Sequence, residues 1–258
     1  MGFDQWIAEL EQRHLANFRL PEVTRALRAL SSAYVERRHT RLRSSSFGGQ
    51  AVGRGPLDSA GKRSAFALFY APLHFLAASH VIGSLDGATS PPPSAILDVG
   101  CGTGAAGAAW ALAAGGSPVV TGLDRHPWAL DEAKWTYRTL GLKGSARQRD
   151  AGRLPRVERN GAAIAAYVLN ELPADVRASA EEQLFAAAGR GARVLILEPI
   201  ARGVAPWWDE TARRASAAGG RADQWRFAVE LPPLLRTLDK AAGLNHRELT
   251  VRSIWLPG

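Results

Sequence analysis

The run Ile96-Leu97-Asp98-Val99-Gly100-Cys101-Gly102-Thr103-Gly104 constrains the fold of this chain more than any other segment. A short apolar stretch enters a turn with glycine at alternate positions, and a helix is expected over 105–114. Glycine lets backbone approach a ligand closely, and a helix start presents free N–H groups. In an open α/β sheet such a turn sits at the carboxyl ends of the strands, where ligands bind. The flanking segments keep the same alternation. Strands are expected at 94–99, 118–123, 146–149, 162–168 and 192–197, helices at 127–140, 174–188 and 232–242, and a last strand or hairpin over 247–256. Alternation of this kind implies an α/β class with a doubly wound, mostly parallel sheet. Little chain follows the helix at 232–242, so one closing strand is expected to be missing or contributed differently.

The 258 residues, 46% apolar and 22% charged, suit one large packed domain with an appendage and exclude a disordered or collagen-like chain. The single cysteine, Cys101, allows no internal disulfide and no zinc cage, and no metal site is expected. A reducing compartment follows from it. Asp4, Glu9 and Glu11 occupy positions where a secretory leader would be basic and then apolar, so a cytoplasmic location is expected. The apolar stretch 64–85 has the length of a membrane span, but His74, His80, Pro72 and its many alanines mark a buried helix and no membrane partner. The two histidines, six apart, are a poor pair for one helix face and read as core or cleft residues.

Charge is concentrated. The formal balance is +8; four of the 32 basic side chains are lysine and the other 28 arginine. Between residues 25 and 63 nine basic side chains face two acidic ones. Such a run is either a solvated face or a surface for RNA or phosphate, for which the planar arginine fork is suited. It falls in an N-terminal region, residues 1–60, expected to be helical, with Val23, Leu27, Leu30 and Tyr34 on one stripe, Pro21 in the first turn, and a mobile loop over 44–61. Residues 61–258 would form the ligand-binding domain.

Gly100, Gly102 and Ala105 satisfy a dinucleotide fingerprint, yet the third glycine comes at Gly104 and Asp98 precedes the loop. A carboxylate there is badly placed beside a pyrophosphate and well placed beside an ammonium group. The pattern resembles motif I of the class I S-adenosylmethionine-dependent methyltransferases, whose cofactor has a cationic amino-acid end and no phosphate. The resemblance implies a Rossmann-like sheet with a helical N-terminal appendage. It implies S-adenosylmethionine bound by Asp98, Gly100, Cys101, Gly102 and Gly104. Asp124, 20 residues after Gly104, has the spacing of a ribose-binding carboxylate, with Arg125 beside it. Asp150, followed by Ala151, stands where the family often places an acid beside the adenine amino group. Asp124 and Asp150 are also residue types that cap helices and turns.

The fourth strand ends in Tyr167-Val168-Leu169-Asn170-Glu171-Leu172-Pro173, where the acceptor would meet the methyl group. Asn170 and Glu171 are the candidate catalytic residues, Glu171 as proton acceptor; their other reading is as caps of the next helix. This segment, with Val194-Leu195-Ile196-Leu197-Glu198-Pro199, is similar to the methyltransferase-like proteins of the mitochondrial small ribosomal subunit and their bacterial relatives. That resemblance implies RNA or the small ribosomal subunit as partner, although the metal-binding cysteines common there are missing here. Two other functions stay open: a small-molecule methyltransferase with the N-terminal helices as a lid, and a non-catalytic, cofactor-binding assembly factor. Oxidoreductase chemistry on a nicotinamide cofactor is a distant further reading. The tryptophan-rich segment 201–230 reads as a packed insertion more than as a base-stacking surface.

Overall fold

The computed structural model describes residues 2–43, 57–201, 203 and 205–258, with side chains 33–43 left out. The expected loop at 44–61 therefore lies outside the described residues up to 56, as do the side chains of Tyr34 and of the arginines from 37 to 54. The chain forms two compact units, one of residues 73–227 and 248–258, the other of 2–72 and 228–247. The line drawn at residue 60 from the sequence differs from this grouping: 61–72 and 228–247 go with the N-terminal helices.

The larger unit is built on seven strands: β1 (Ala95–Val99), β2 (Val119–Asp124), β3 (Gly144–Gln148), β4 (Ala162–Ala166), β5 (Arg193–Glu198), β6 (Arg221–Ala228) and β7 (Glu248–Leu256). Their order is β3-β2-β1-β4-β5-β7-β6. Strands β1 to β5 pair in parallel, and β7 runs antiparallel to β5 with Glu198 opposite Arg252. Four consecutive residues of β1 and all of β5 are buried, which is what strands covered on both faces require. Helices α5 (Ala105–Ala113), α6 (Pro127–Thr139) and α7 (Ala174–Ala188) connect the parallel strands. The reversal of strand order between β1 and β4 opens the crevice in which such sheets bind ligands.

No closing strand is missing; of the two alternatives expected, the strand is contributed differently. Strand β6 comes from within 201–230, after helix α8 (Trp208–Ala217), and so precedes the last helix α9 (Pro233–Ala241). The alternation of exposed and half-buried residues along β6 is that of an edge strand, with Asp223, Trp225 and Phe227 turned inward. Trp225 donates its indole N–H to Ser253 Oγ at 2.8 Å. Trp208 is buried in the core and Trp207 packs against it, as a packed insertion does.

The smaller unit contains α1 (Phe3–Leu15), α2 (Leu20–Arg43), α3 (Ala60–Ala65), a π-helical turn (Phe66–Tyr70) and α9. The expected stripe is its core, since Val23, Leu27 and Leu30 are fully buried together with Trp6 and Leu10. The Arg28 Nε of α2 donates to the Ala241 carbonyl of α9 at 2.8 Å, and Ser31 Oγ lies 2.9 Å from the Tyr70 hydroxyl. The apolar stretch is helical over Ala60–Gly83, its last part being α4 (Ala71–Gly83); it is long and apolar enough to cross a membrane, and 67% of its apolar 18-residue part is buried within the protein, as in a core helix. Of its histidines, His80 is exposed and stacks on Phe227 with ring centres 3.7 Å apart, so its reading as a core or cleft residue is corrected.

Candidate functional site

The glycine turn adopts left-handed backbone at Gly100 (φ 63°), Gly102 (φ 51°) and Gly104 (φ 81°). At Gly100 the lack of a side chain is required twice over, because a Cβ would also lie 2.2 Å from Val168 Cγ2. The turn after β4 can thus rest directly on the turn after β1. At Gly104 a Cβ would fall 2.7 Å from the Tyr137 ring, so this residue starts α5 flush against the buried tyrosine.

The carboxylates converge on this turn. Asp124 Oδ2 accepts the Gly102 N–H at 2.9 Å and its Oδ1 accepts the His126 N–H at 2.8 Å, which ties the end of β2 to the glycine loop and opens α6. Asp98 is buried and accepts the Gly107 N–H at 2.9 Å. Its carboxylate is therefore spent on the first turn of α5. Burial pushes its carboxyl up to about 7, the Gly107 bond opposing and the Asp124 charge adding to the rise. Asp150 Oδ1 accepts the Gly152 N–H at 2.8 Å, and its Oδ2 lies 3.6 Å from Arg125 Nη1. Asp124, Arg125 and Asp150 are therefore brought together at the carboxyl ends of β2 and β3, with Ala151 buried behind them. Cys101 is buried within the loop, and burial raises its thiol well above the ordinary range, which leaves it inert as a nucleophile.

On the other side of the crevice lies the turn after β4. Tyr167 is left-handed (φ 59°), a costly conformation for a residue with a side chain, and stacks on His74 with ring centres 4.2 Å apart. Burial pushes the His74 imidazole down to about 4, so it is neutral at pH 7. Asn170 and Glu171 form one turn of 3-10 helix over Leu169–Glu171 and cap nothing, since α7 begins after Pro173. Glu171 is exposed. Asn170 is fastened: its backbone N–H donates to Glu198 Oε1 at 3.1 Å and its side-chain amide donates to Glu198 Oε2.

Glu198 had been given no role from the sequence. It is fully buried, and burial pushes its carboxyl up to about 8 against the pull of the Asn170 bonds. Its cross-strand neighbour Arg252 is 3% exposed and lies over the Trp208 ring at 4.3 Å. A lone glutamate ending an otherwise apolar strand was the available signal. Its link to Asn170, 28 residues away, follows only from the pairing of β4 with β5.

The donor set suits a cationic, phosphate-free nucleotide. The left-handed glycines keep the turn free of side chains, and Asp124 and Asp150 stand beside it at the ends of β2 and β3, where a pyrophosphate would be repelled. Residues 96–191 match a methyltransferase domain family. No curated protein matches the chain. The fold is similar to mitomycin 7-O-methyltransferase, with TM-score 0.54 and 15% identity over 86% of this chain and 66% of that one. It is also similar to an O-methyltransferase of Nostoc punctiforme, with TM-score 0.51 and 15% identity over 91% of this chain and 69% of the other. The chain thus spans about two thirds of the length of these enzymes. The matched segment holds the glycine turn, all three carboxylates and Asn170. Residues 96–191 are thus similar to methyltransferase domains, and the chain has the fold of the two O-methyltransferase structures.

Proposed function

We propose that the domain methylates RNA, with RNA of the small ribosomal subunit as acceptor. The observation that carries this reading is the arginine excess, 28 residues in a chain of net charge +8, since phosphate contacts from such side chains supply most of the affinity for nucleic acid. The similarity of the segments at 167–172 and 194–199 to ribosome-associated methyltransferase-like proteins agrees with it.

In this reading the donor is S-adenosylmethionine, which Gly100, Cys101, Gly102 and Gly104 would cradle. Asp124 would accept from its ribose hydroxyls, Asp150 with Arg125 and Ala151 would border its adenine, and Asp98 sets the loop through Gly107. When bound, the cofactor would supply an electrophilic methyl group carried on a sulfonium. Asn170, clamped from behind by Glu198, fixes the acceptor atom in line. Glu171, exposed at the mouth, takes the proton that the acceptor gives up. Positioning supplies most of the rate in such a displacement.

Incubation with radiolabelled S-adenosylmethionine and isolated small ribosomal subunits tests this. Label enters the RNA, and Asn170→Ala lowers turnover by roughly 10²-fold or more with cofactor affinity unchanged. Label appearing only in small molecules identifies a small-molecule enzyme, and cofactor binding without transfer to any acceptor identifies a non-catalytic factor. Either result overturns the RNA reading.

A further inference from the structure

We infer that the segment between β3 and β4 is an arginine ladder that grips the phosphate backbone of an RNA strand, an inference that rests on the RNA reading above. The chain leaves β3 through the Asp150 turn, and residues 154–158 carry neither helix nor strand. They are held down nonetheless. The Leu154 N–H donates to Gln183 Oε1 at 2.8 Å, while Gln183 Nε2 and Ser179 Oγ, both on α7, donate to the Gly152 carbonyl at 2.8 and 2.9 Å. Leu154 and Val157 pack on the hydrophobic core.

Arg153, Arg156 and Arg159 are all exposed. A period of three, with Leu154 and Val157 inward and three arginines outward, is that of a polyproline-type strand, which would space the guanidinium groups about 9 Å apart. The ladder continues towards the cofactor end of the sheet through exposed Arg149, whose Nη1 donates to the Arg153 carbonyl at 3.2 Å. On the edge strand Lys143 and Arg147 are exposed as well. Six basic side chains face two acidic ones across 143–159. The Arg156–Glu158 pair, 3.6 Å apart with both side chains over 70% exposed, neutralises little of this.

A solvated basic face has no need of a fixed backbone with a regular repeat. A membrane-binding surface pairs its basic residues with apolar ones that insert. The outward positions of this segment are Arg153, Arg156, Arg159 and Glu158, with no large apolar side chain among them, and Leu154 and Val157 are spent on the core. A polyanion read through its phosphates is what remains, and the arginine fork matches phosphate in a bidentate manner.

The test uses the full chain and a triple variant, Arg153→Glu, Arg156→Glu and Arg159→Glu, with a triple glutamine variant to separate charge loss from charge reversal. Binding to a labelled single-stranded fragment of small-subunit RNA is titrated across salt concentrations, and S-adenosylmethionine binding checks that the site is intact. The glutamate variant binds RNA at least about tenfold more weakly, and in the glutamine variant the slope of log K against log salt shrinks by about 2. Cofactor affinity stays unchanged in both. Wild-type binding of RNA with undiminished affinity in the variants overturns the ladder alone. A wild-type chain that binds no RNA overturns the RNA reading and the ladder with it. Loss of binding to phosphatidylserine vesicles with RNA binding intact overturns the ladder in favour of a membrane contact.

Discussion

Replacing Gly100 by alanine destabilises the larger unit by roughly 2–5 kcal/mol and removes measurable cofactor binding. Left-handed backbone costs a residue with a side chain about 1–2 kcal/mol, and forcing an atom into a packed site adds about 1–3 kcal/mol. Both apply, since φ is 63° and the new Cβ would sit 2.2 Å from Val168 Cγ2 and 2.7 Å from Val168 Cβ. The turn after β4 must then retreat from the glycine loop, and acceptor and cofactor turns lose their register. Val168→Ala removes the Cγ atoms and leaves the backbone strain and the Cβ contact. The double variant Gly100→Ala with Val168→Ala therefore recovers about 0.5–3 kcal/mol relative to the sum of the single changes. Urea denaturation of the four proteins measures this. Strict additivity would mean that the two turns are not in contact.

Glu198→Ala lowers stability by roughly 1–3 kcal/mol, because it leaves the buried Asn170 donors without their acceptor. Its pH signature is more specific. In the unfolded chain this carboxyl loses its proton near 4.5, whereas in the folded protein it holds it to about 8. Between those values the folded state binds the extra proton, so stability from this group is full below about pH 4.5 and is lost as pH rises through about 8. Asp98, raised from 3.8 to about 7, works in the same direction. Unfolding free energy therefore falls from about pH 5 to about pH 8 in the wild type, and falls less steeply in Glu198→Gln, which cannot titrate. Equal slopes in the two proteins would show that Glu198 is ionised in the fold.

The sheet was legible because each parallel strand is a short apolar run bounded by turn residues, and each crossover helix follows it at ordinary spacing. All five parallel strands and helices α5, α6, α7 and α9 fall within a few residues of their expected places. Strand β6 was not legible. Arg221-Ala222-Asp223-Gln224 carries the polar alternation of an edge strand, which resembles a loop until β7 is known to lie beside it. The same limit hid Glu198. A buried carboxyl is defined by what surrounds it, and its partners come from β4 and β7, far away in the chain. Asp124 was singled out by its spacing and Asp150 by the family resemblance, and in the structure both hold backbone turns. The grouping of 228–247 with the N-terminal helices rests on contacts such as Arg28 to Ala241, 213 residues apart, which no local pattern announces.

The most direct test of the account is calorimetric titration of the full chain with S-adenosylmethionine and, separately, with NADH, repeated on Asp124→Asn. The account predicts micromolar binding of S-adenosylmethionine, none of NADH, and a loss of about 1–3 kcal/mol in the variant, the cost of a missing charged hydrogen-bond partner. Binding of NADH in preference, or S-adenosylmethionine bound equally well by Asp124→Asn, would contradict the assignment of the glycine loop and Asp124 to this cofactor.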